Sequence, residues 1–458
     1  MGIPNTNGDC SRFSFWLRVR EFAVPAAMIE TATGRRRVGD WAGACAAAGF
    51  DVDVDVRWLA RAYGSELAAR VRDDLRYLAP DLLRWHLPRV APDGLLRPGL
   101  TISLARYGRH NASGRAHFVH LVVRTAPAWA DSGQRLSLAV WDGPHSEPSL
   151  HPHPRPHPRF RLDLHRHVWD ARRADDLRMR CGAEHSGDHL PILDPELIAA
   201  TPMDRGCAIH RWADEARILL DAEDRQGNTF LVRLSARQRL IMDLAEDATL
   251  RAGRHPAGGI TALPVLPDAA TWVLPDLELL RTGAISPDRL HPLVASALVP
   301  GYSPDAAAPA TSRPGEPLLV ECRGERHRIG VVDGVLSALD HDPAEIRREE
   351  LLVALAGTPL PCLRFIDAAH RHPDCLAGVR ERLDHGDTAG ALAVVEALLG
   401  PEALLRDGDL RDELEASARK RIVYGLFRAG LAETGFDRVA PGRRRPRDSR
   451  AHPRNASF

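Results

Sequence analysis

The chain has 458 residues, of which 44% are hydrophobic and 27% are charged. This length and composition predict a globular protein with more than one domain. Its 61 Lys and Arg residues balance 61 Asp and Glu residues, so the chain has no overall charge that would attract nucleic acid or an anionic membrane.

The sequence contains no apolar run of the ~20 residues that a membrane-spanning helix needs. At the N-terminus, polar residues and arginines stand where a secretory signal would have a continuous apolar core. We therefore predict a cytoplasmic protein with no membrane partner. The seven cysteines are scattered and odd in number, which favours reduced, mostly buried thiols over a disulfide framework.

Residues 21–95 are predicted to be helical. Asp40 can cap a helix that Gly49 ends. Farther on, apolar side chains recur three or four residues apart, as on one face of a helix. These are Leu59, Tyr63, Leu67, Val71, Leu75 and Leu78.

The hydrophobic period changes from helical to alternating after residue 99. Residues 100–107, 117–125 and 135–142 are short, alternating and rich in β-branched side chains, and they predict an antiparallel meander. Residues 160–164 alternate in the same way, and we expect them to form a fourth strand.

Five histidines lie in the stretch HPHPRPHPRFRLDLHRHVWD, residues 151–170. Proline follows three of them and favours an extended or polyproline conformation, which keeps the imidazoles apart. We interpret this stretch as a solvated surface connector. The alternative is a metal site, since histidine-rich tracts can bind metals.

The middle of the chain, residues 171–299, has mixed patterns. Residues 207–224 predict an amphipathic helix. Strands are expected at 228–234 and 260–266, and helices at 275–283 and 287–298.

Residues 300–317 are rich in Pro, Ala and Ser and are predicted to be a linker. A β-hairpin is expected to follow, turning at residues 323–325, and residues 342–431 predict consecutive helices. The last stretch, 437–458, has many arginines and few apolar residues, which is typical of a disordered tail. Nonspecific phosphate contacts by this tail are the one interaction with nucleic acid that we expect.

The predicted fold class is α+β, with a helical N-terminal segment, an antiparallel β-meander, a mixed middle and a helical-hairpin C-terminal region. The predicted organisation is 1–20 poorly ordered, 21–170 helical segment plus antiparallel sheet, 171–299 mixed, 300–317 linker, 318–436 hairpin plus helices, and 437–458 tail.

Residues 181–210 contain several cysteines and histidines. Thiolates and imidazoles are the ligands that structural zinc sites use. Two candidates lie one turn apart on the predicted helix 207–224, and the others precede it. The candidate ligands are Cys181, His185, His189, Cys207 and His210. The alternative is a capped helix with a partly buried thiol.

Two further clusters have simpler interpretations. Cys362 falls three residues before Phe365, on a face that is predicted to be core, so we assign the cluster that it forms with nearby histidines and Cys375 a packing role. Residues 51–56, DVDVDV, carry carboxylates that could hold calcium or magnesium, but a solvated strand with inward valines also explains them.

Two stretches of the C-terminal region resemble helical-hairpin repeats. Residues 385–410 match the GD, AL, E and L positions of a tetratricopeptide helix at Gly386-Asp387, Ala391-Leu392, Glu396 and Leu399. Residues 418–431 resemble part of an ankyrin repeat at Ile422-Val423, Leu426-Phe427 and Gly430, with Ala418 in place of the usual glycine. The chain is also similar to uncharacterised proteins of high-G+C bacteria, some of which carry ankyrin repeats. The resemblance implies a helical-hairpin scaffold that binds partners through a concave face, and it implies no catalytic residues.

The sequence lacks the short motifs of the common catalytic and nucleotide-binding families: GxxxxGK[ST], GxGxxG after a strand, HExxH, GxSxG and the kinase signature. We therefore expect a binding or scaffold protein that contacts a protein partner through its helical C-terminal region and needs no cofactor. The alternative is a zinc-dependent enzyme centred on residues 151–210.

Overall fold

The computed structural model describes residues 6–431 apart from 111–115, 132, 144–150, 184–196, 198–200, 203–205, 225–226, 248, 254–258, 303–317, 323 and 356–359. The fold is α+β, as predicted. The described chain divides into two compact units, a first unit of residues 6–302 and a second unit of residues 318–431. Among the described helices, none combines the length and the apolar character that crossing a membrane requires.

The first unit begins with a set of short helices. They are α1 (Thr6–Phe22), α2 (Ala26–Arg37), α3 (Trp41–Ala47), α4 (Val56–Tyr63), α5 (Ser65–Arg76) and α6 (Pro80–His86). Asp40 caps α3, because its side chain accepts a hydrogen bond from the Gly43 amide. Gly64, with φ of +94°, separates α4 from α5, so the predicted apolar stripe continues across two helices rather than one.

The helices of the first unit pack on a four-stranded sheet. Its strands are β1 (Phe50–Asp53), β4 (Thr101–His110), β5 (Ala116–Thr125) and β6 (Leu136–Trp141), and a two-residue pair, β2 (Arg89–Val90) with β3 (Leu95–Leu96), lies apart. The sheet order is β1-β6-β5-β4. The predicted antiparallel meander is confirmed by β4, β5 and β6, whereas β1 pairs parallel to β6.

The expected fourth strand at residues 160–164 was wrong, because this segment forms turns beside the edge of β4. Among the described residues, its strand-like pairing is limited to an isolated bridge between Ser103 and Arg161. The Asp163 amide donates to the carbonyl of Ser103 at 2.9 Å. The four prolines that precede the segment lack amide donors, so the chain cannot pair continuously with β4 before residue 160, and the turn at residues 162–164 ends the pairing after it. The sheet gains its fourth strand from β1 instead.

The middle of the chain contributes a second, smaller core to the first unit. Its elements are α7 (Asp176–Arg180), α8 (Ile209–Ala222), β7 (Thr229–Arg233), β8 (Arg239–Leu244), β9 (Leu250–Ala252), α9 (Asp268–Thr271), α10 (Pro275–Arg281) and α11 (Pro292–Leu298). The apolar face of α8 packs on the β7-β8-β9 sheet through Trp212, Ala216 and Leu220. The expected strand at 260–266 was wrong, since residues 260–262 form a 3-10 turn.

The main core of the first unit joins distant parts of the chain. Trp16, Trp85 and Trp169 are buried in it together with apolar side chains of β4 and β5. Side chains of α10 and α11 are part of the same core. Residues 274–298 therefore share a core with the N-terminal helices.

The second unit is a three-stranded antiparallel sheet followed by helices. The elements are β10 (Leu318–Cys322), β11 (Glu325–Val332), β12 (Val335–Ala338), α12 (Pro343–Leu355), α13 (Pro361–Arg371), α14 (Leu376–His385), α15 (Thr388–Leu399) and α16 (Asp409–Arg428). The predicted hairpin and the predicted series of helices are both confirmed. Gly386 ends α14 at φ of +86°, and Asp387 caps α15 by accepting from the Gly390 amide at 2.9 Å.

The resemblance to a helical-hairpin repeat implies that Ile422, Val423, Leu426 and Phe427 are buried on one face of the last helix, and this expectation was wrong. Ile422 is 63% exposed, and Val423, Leu426 and Phe427 are half-buried. Only Leu410 and Tyr424 of α16 are buried. Within the described part of the second unit, α16 contacts the core mainly through its N-terminal half, which leaves the Ile422 face uncovered.

Candidate metal centre

The structure describes three of the five predicted zinc ligands of the middle region, namely Cys181, Cys207 and His210. His185 and His189 lie outside the described residues. Both thiols are buried, and each donates to a main-chain carbonyl, at 3.4 Å from Cys181 Sγ and 3.5 Å from Cys207 Sγ. The three described side chains do not form a group of ligand atoms within 4.8 Å of one another, so the five-residue zinc site stays a prediction.

The region between these residues is occupied by a buried ion-pair network around Glu215. This carboxylate accepts from Arg180 at 2.8 and 2.9 Å and from Arg211 at 3.3 Å, and His165 Nε2 lies 3.0 Å from it. Burial raises the pKa of Glu215, but the contacts with His165, Arg180 and Arg211 outweigh burial and hold the pKa well below its usual range. The carboxylate is fully engaged, so it is not available as a general base.

The histidines of residues 151–170 are less solvated than expected. His151 is buried, and its Nε2 lies 3.0 Å from the carbonyl oxygen of Thr125. His165 and His167 are also buried, whereas His153 is exposed. The solvated connector was therefore wrong for most of this stretch, because the chain folds back along β4 and uses its imidazoles as interior polar groups.

The aspartates of DVDVDV have structural partners. Arg135 donates to Asp51 at 2.5 and 3.2 Å, and Asp55 caps α4 by accepting from the amides of Arg57 and Trp58. Among the residues that the structure describes, neither aspartate belongs to a possible metal-binding group. The alternation forms strand β1 and a helix cap.

A different set of residues converges in the second unit. The ligand atoms of Cys322, His341 and Cys362 all lie within 4.8 Å of one another. Cys322 is the last residue of β10, His341 follows β12, and Cys362 is in the first turn of α13. The hairpin and the helix thus bring together three side chains that lie 19 and 21 residues apart in the sequence.

The spacing of these three atoms suits a small metal ion. Because the three atoms are no more than 4.8 Å apart, an ion placed at their centre would lie at most about 2.8 Å from each of them. Zinc–sulfur bonds are ~2.3 Å long and zinc–nitrogen bonds are ~2.0–2.1 Å long. Small side-chain rotations would close this difference. The cluster is also closed to solvent, since Cys322 is 0% and Cys362 1% exposed.

A second imidazole supports His341. The Nδ1 atom of His327, on β11, lies 2.8 Å from the Nε2 atom of His341, and the two ring centroids are 4.2 Å apart. On the other side, His341 Nδ1 lies 3.6 Å from a carboxylate oxygen of Glu345. Partners of this kind orient the imidazole ligands of metal sites.

The Cys362 thiol is protonated in the absence of a metal. Burial is the main cause, and together with the hydrogen bond to Cys322 it raises the pKa of Cys362 to about 11. A divalent cation would displace this proton, because the thiolate is the form that binds metals.

Sequence patterns pointed to Cys362 but grouped it with the wrong neighbours. His370 is buried apart from the cluster, and His372 lies 3.1 Å from Asp409. Neither belongs to a possible metal-binding group among the described residues. The packing role that was assigned to Cys362 agrees with its burial, but the sequence analysis missed Cys322 and His341, because no short motif joins them.

No protein-family model, no curated protein and no solved structure matches this chain. The resemblance to ankyrin and tetratricopeptide hairpins therefore rests on the residues quoted above and stays a prediction.

Proposed function

We propose that the second unit is a zinc-stabilised protein-binding module in which Cys322, His341 and Cys362 hold the metal and His327 completes the site. The observation that carries this proposal is the convergence of two buried thiols and one imidazole. Sulfur and nitrogen donors of this kind select zinc over calcium or magnesium.

The burial of the ligands favours a structural metal over a catalytic one. Catalytic zinc keeps one coordination position open for water or substrate, whereas structural zinc is enclosed by four protein ligands. Cys322, Cys362 and His341 are all nearly inaccessible to solvent. His327 is the imidazole that already contacts His341, and it is our candidate for the fourth ligand.

A metal at this place would link all parts of the second unit. Cys322 anchors the hairpin, His341 anchors the connection to α12, and Cys362 anchors the start of α13. The core of the unit is small, with 14 buried apolar or thiol side chains among the residues that the structure describes, so a metal cross-link would add substantially to its stability.

The protein-binding part of the proposal rests on the helices. Ile422 on α16 and Leu392 on α15 are exposed at 63% and 42%, and scattered apolar side chains on helical hairpins can serve as contacts for a partner. We expect Ile422→Glu to reduce recovery of one defined protein that co-purifies from the native host. Arg419→Glu, an exposed change on the same helix, is the control and should not reduce it.

The metal is tested on full-length protein without a histidine tag. We expect one zinc per chain by elemental analysis and less than 0.2 zinc per chain for Cys322→Ala and Cys362→Ala. Cys375→Ala is the matched control, since Cys375 is in the same unit but outside the cluster, and it should keep its zinc. Cobalt should give the absorption of a tetrahedral thiolate site.

All nine tryptophans lie in the first unit, at positions up to 272. Tryptophan fluorescence therefore reports on the first unit, and chelation should lower the helical circular dichroism without shifting the fluorescence transition. The proposal fails if reconstituted protein holds less than 0.2 zinc per chain, or if Cys375→Ala loses as much zinc as Cys322→Ala. Loss of zinc in Cys181→Ala alone would instead support the enzyme centred on residues 151–210.

A further inference from the structure

The first unit contains a small cavity that the proposed function does not use. It lies between α1, α6 and the segments 159–162 and 268–275, and its volume is about 50 Å³. Its wall includes His86, Arg89, Arg97, Arg159, Asp268 and Trp272. The wall thus combines several cationic side chains with imidazole and indole N–H groups. This combination is unusual for a protein interior, where charges are normally paired.

Arg89 is one of two almost fully buried guanidiniums on the wall, with 3% of its surface exposed. Its guanidinium donates to the carbonyl oxygens of Gly94 and Arg84 at 2.9 and 2.7 Å, and its Nε has no hydrogen-bond partner among the described residues. Burial lowers the pKa of Arg89, and the charges of Arg84 and Arg20 lower it further. A guanidinium nevertheless stays charged in proteins. Its charge therefore lacks a counter-ion.

Two further buried nitrogen atoms on the cavity wall are unused. The indole Nε1 of Trp272 has no hydrogen-bond partner in the described structure. The Nε2 atom of His86 also lacks one, since the nearest carboxylate oxygen, on Asp276, is 3.9 Å away. Buried polar atoms normally have hydrogen-bond partners. Three buried nitrogen atoms of one wall, on Arg89, Trp272 and His86, have none among the described residues, which points to a ligand.

Of the other arginines on the wall, two are neutralised and one adds to the positive potential. Arg159 forms an ion pair with Asp268, and Arg161 is neutralised by Asp163 and Glu223. Arg97 is half-buried, and its side chain donates no hydrogen bond to another described residue. Asp268 is thus the one carboxylate on the wall, and it faces more than one guanidinium.

The rest of the cavity wall is apolar. Trp16, Trp85, Phe160 and Leu162 contribute rings and methyl groups. A ligand for this cavity would therefore carry an anionic end and an apolar end.

We propose that this cavity binds a short-chain carboxylate, with its carboxylate against Arg89, Arg97 and Trp272 and its hydrocarbon part against Trp16, Trp85 and Phe160. The planar fork of a guanidinium matches a carboxylate in two parallel hydrogen bonds. The volume sets the size, since about 50 Å³ holds an acid of only a few carbon atoms. A doubly charged phosphate group fits less well, because Asp268 already supplies one negative charge to the wall.

The test uses propionate as the probe and the intact chain as the protein. Binding is followed by tryptophan fluorescence, since Trp85 and Trp272 are on the cavity wall, and it is confirmed by calorimetry. We expect saturable 1:1 binding with a dissociation constant of about 1 mM or lower, a range that five non-hydrogen atoms can provide. Propionamide, which has the same shape without the charge, should bind at least tenfold more weakly.

Two conservative variants and one control test the assigned contacts. Arg97→Gln removes the guanidinium charge at a half-buried position but keeps a polar side chain, and it should weaken propionate binding at least tenfold. Trp272→Phe removes the indole donor and should weaken binding severalfold. Arg217→Gln, which changes an exposed arginine of α8, should bind like the parent. Both cavity variants must keep the parent fluorescence transition, which shows that the first unit is folded.

Three results would overturn the proposal. One is the absence of saturable binding up to about 50 mM propionate, far above the expected range. Another is equal affinity for propionamide or for inorganic phosphate. The third is unchanged affinity in folded Arg97→Gln protein. None of these results depends on the zinc content of the second unit, so this proposal and the proposed function fail independently.

Discussion

Removal of the Asp276 carboxylate should destabilise the first unit strongly. Asp276 is buried on α10, where it accepts from Trp85 Nε1 at 2.7 Å and from Arg20 at 3.0 Å. Both members of the Arg20–Asp276 ion pair are almost inaccessible, with side-chain exposures of 6% and 1%. In Asp276→Ala protein, the Arg20 guanidinium would stay buried without its ion-pair partner, and Trp85 would lose its acceptor.

The magnitude follows from the buried charge. Breaking a buried ion pair by removing one partner costs about 3–5 kcal/mol, and loss of a buried hydrogen-bond acceptor adds about 1 kcal/mol. We therefore expect Asp276→Ala to lower the free energy of unfolding of the first unit by about 4 kcal/mol or more. Asp214→Ala, which breaks an exposed pair with Arg217, should cost less than about 1 kcal/mol.

Urea unfolding followed by tryptophan fluorescence measures this difference in the first unit. If Asp276→Ala protein does not fold, the double variant Arg20→Met with Asp276→Leu serves as the second measurement, because it removes both charges together. We expect the double variant to be more stable than Asp276→Ala, since a buried pair replaced by apolar side chains leaves no isolated charge. A cost for Asp276→Ala that equals the cost for Asp214→Ala would refute the assigned role of the pair.

Two further predictions concern pH and helix capping. Burial lowers the pKa of His86 to about 4, whereas a histidine in the unfolded chain titrates near ~6.5. Between these two pH values the unfolded state binds more protons than the folded state. The stability of the first unit should therefore fall as the pH decreases from about 6.5 to 4, by up to about 3 kcal/mol. Urea midpoints at pH 7, 6 and 5 measure this slope, which His86→Asn should reduce; a midpoint that rises on acidification contradicts the assignment. In the second unit, Asp387→Ala should cost about 1 kcal/mol, measured by circular dichroism, because Asp387 caps α15. Asp384→Ala, an exposed change one helix earlier, is its control and should have a smaller effect.

Local patterns in the sequence predicted local structure well. The alternation in residues 100–142 gave three strands that are confirmed, and the acceptor groups of Asp40 and Asp387 cap the helices that they precede. These signals are local because capping and alternation depend on residues only a few positions apart. Leu399 is buried as its helical spacing predicts, whereas its neighbour Leu398 is half-buried.

Features that depend on distant residues could not be predicted. The parallel pairing of β1 with β6 joins Phe50 to Leu136, and nothing in either stretch specifies the other. The cluster of Cys322, His341 and Cys362 has the same origin, since three separate elements supply one ligand each. Residues 160–164 show the opposite error, because their local alternation predicted a strand, whereas the chain turns there after a single bridge to the edge strand β4.

The ion pair between Arg20 and Asp276 also constrains the timing of folding on the ribosome. The two residues are 256 positions apart in the sequence. At synthesis rates of 5–20 residues per second, Asp276 is therefore added roughly 13–50 s after Arg20. During this interval the faces of α1 and α6 that later meet α10 and α11 are exposed to solvent. We expect nascent chains halted before residue 275 to bind chaperones and to be cut readily by proteases, and chains halted well beyond residue 298 to resist both.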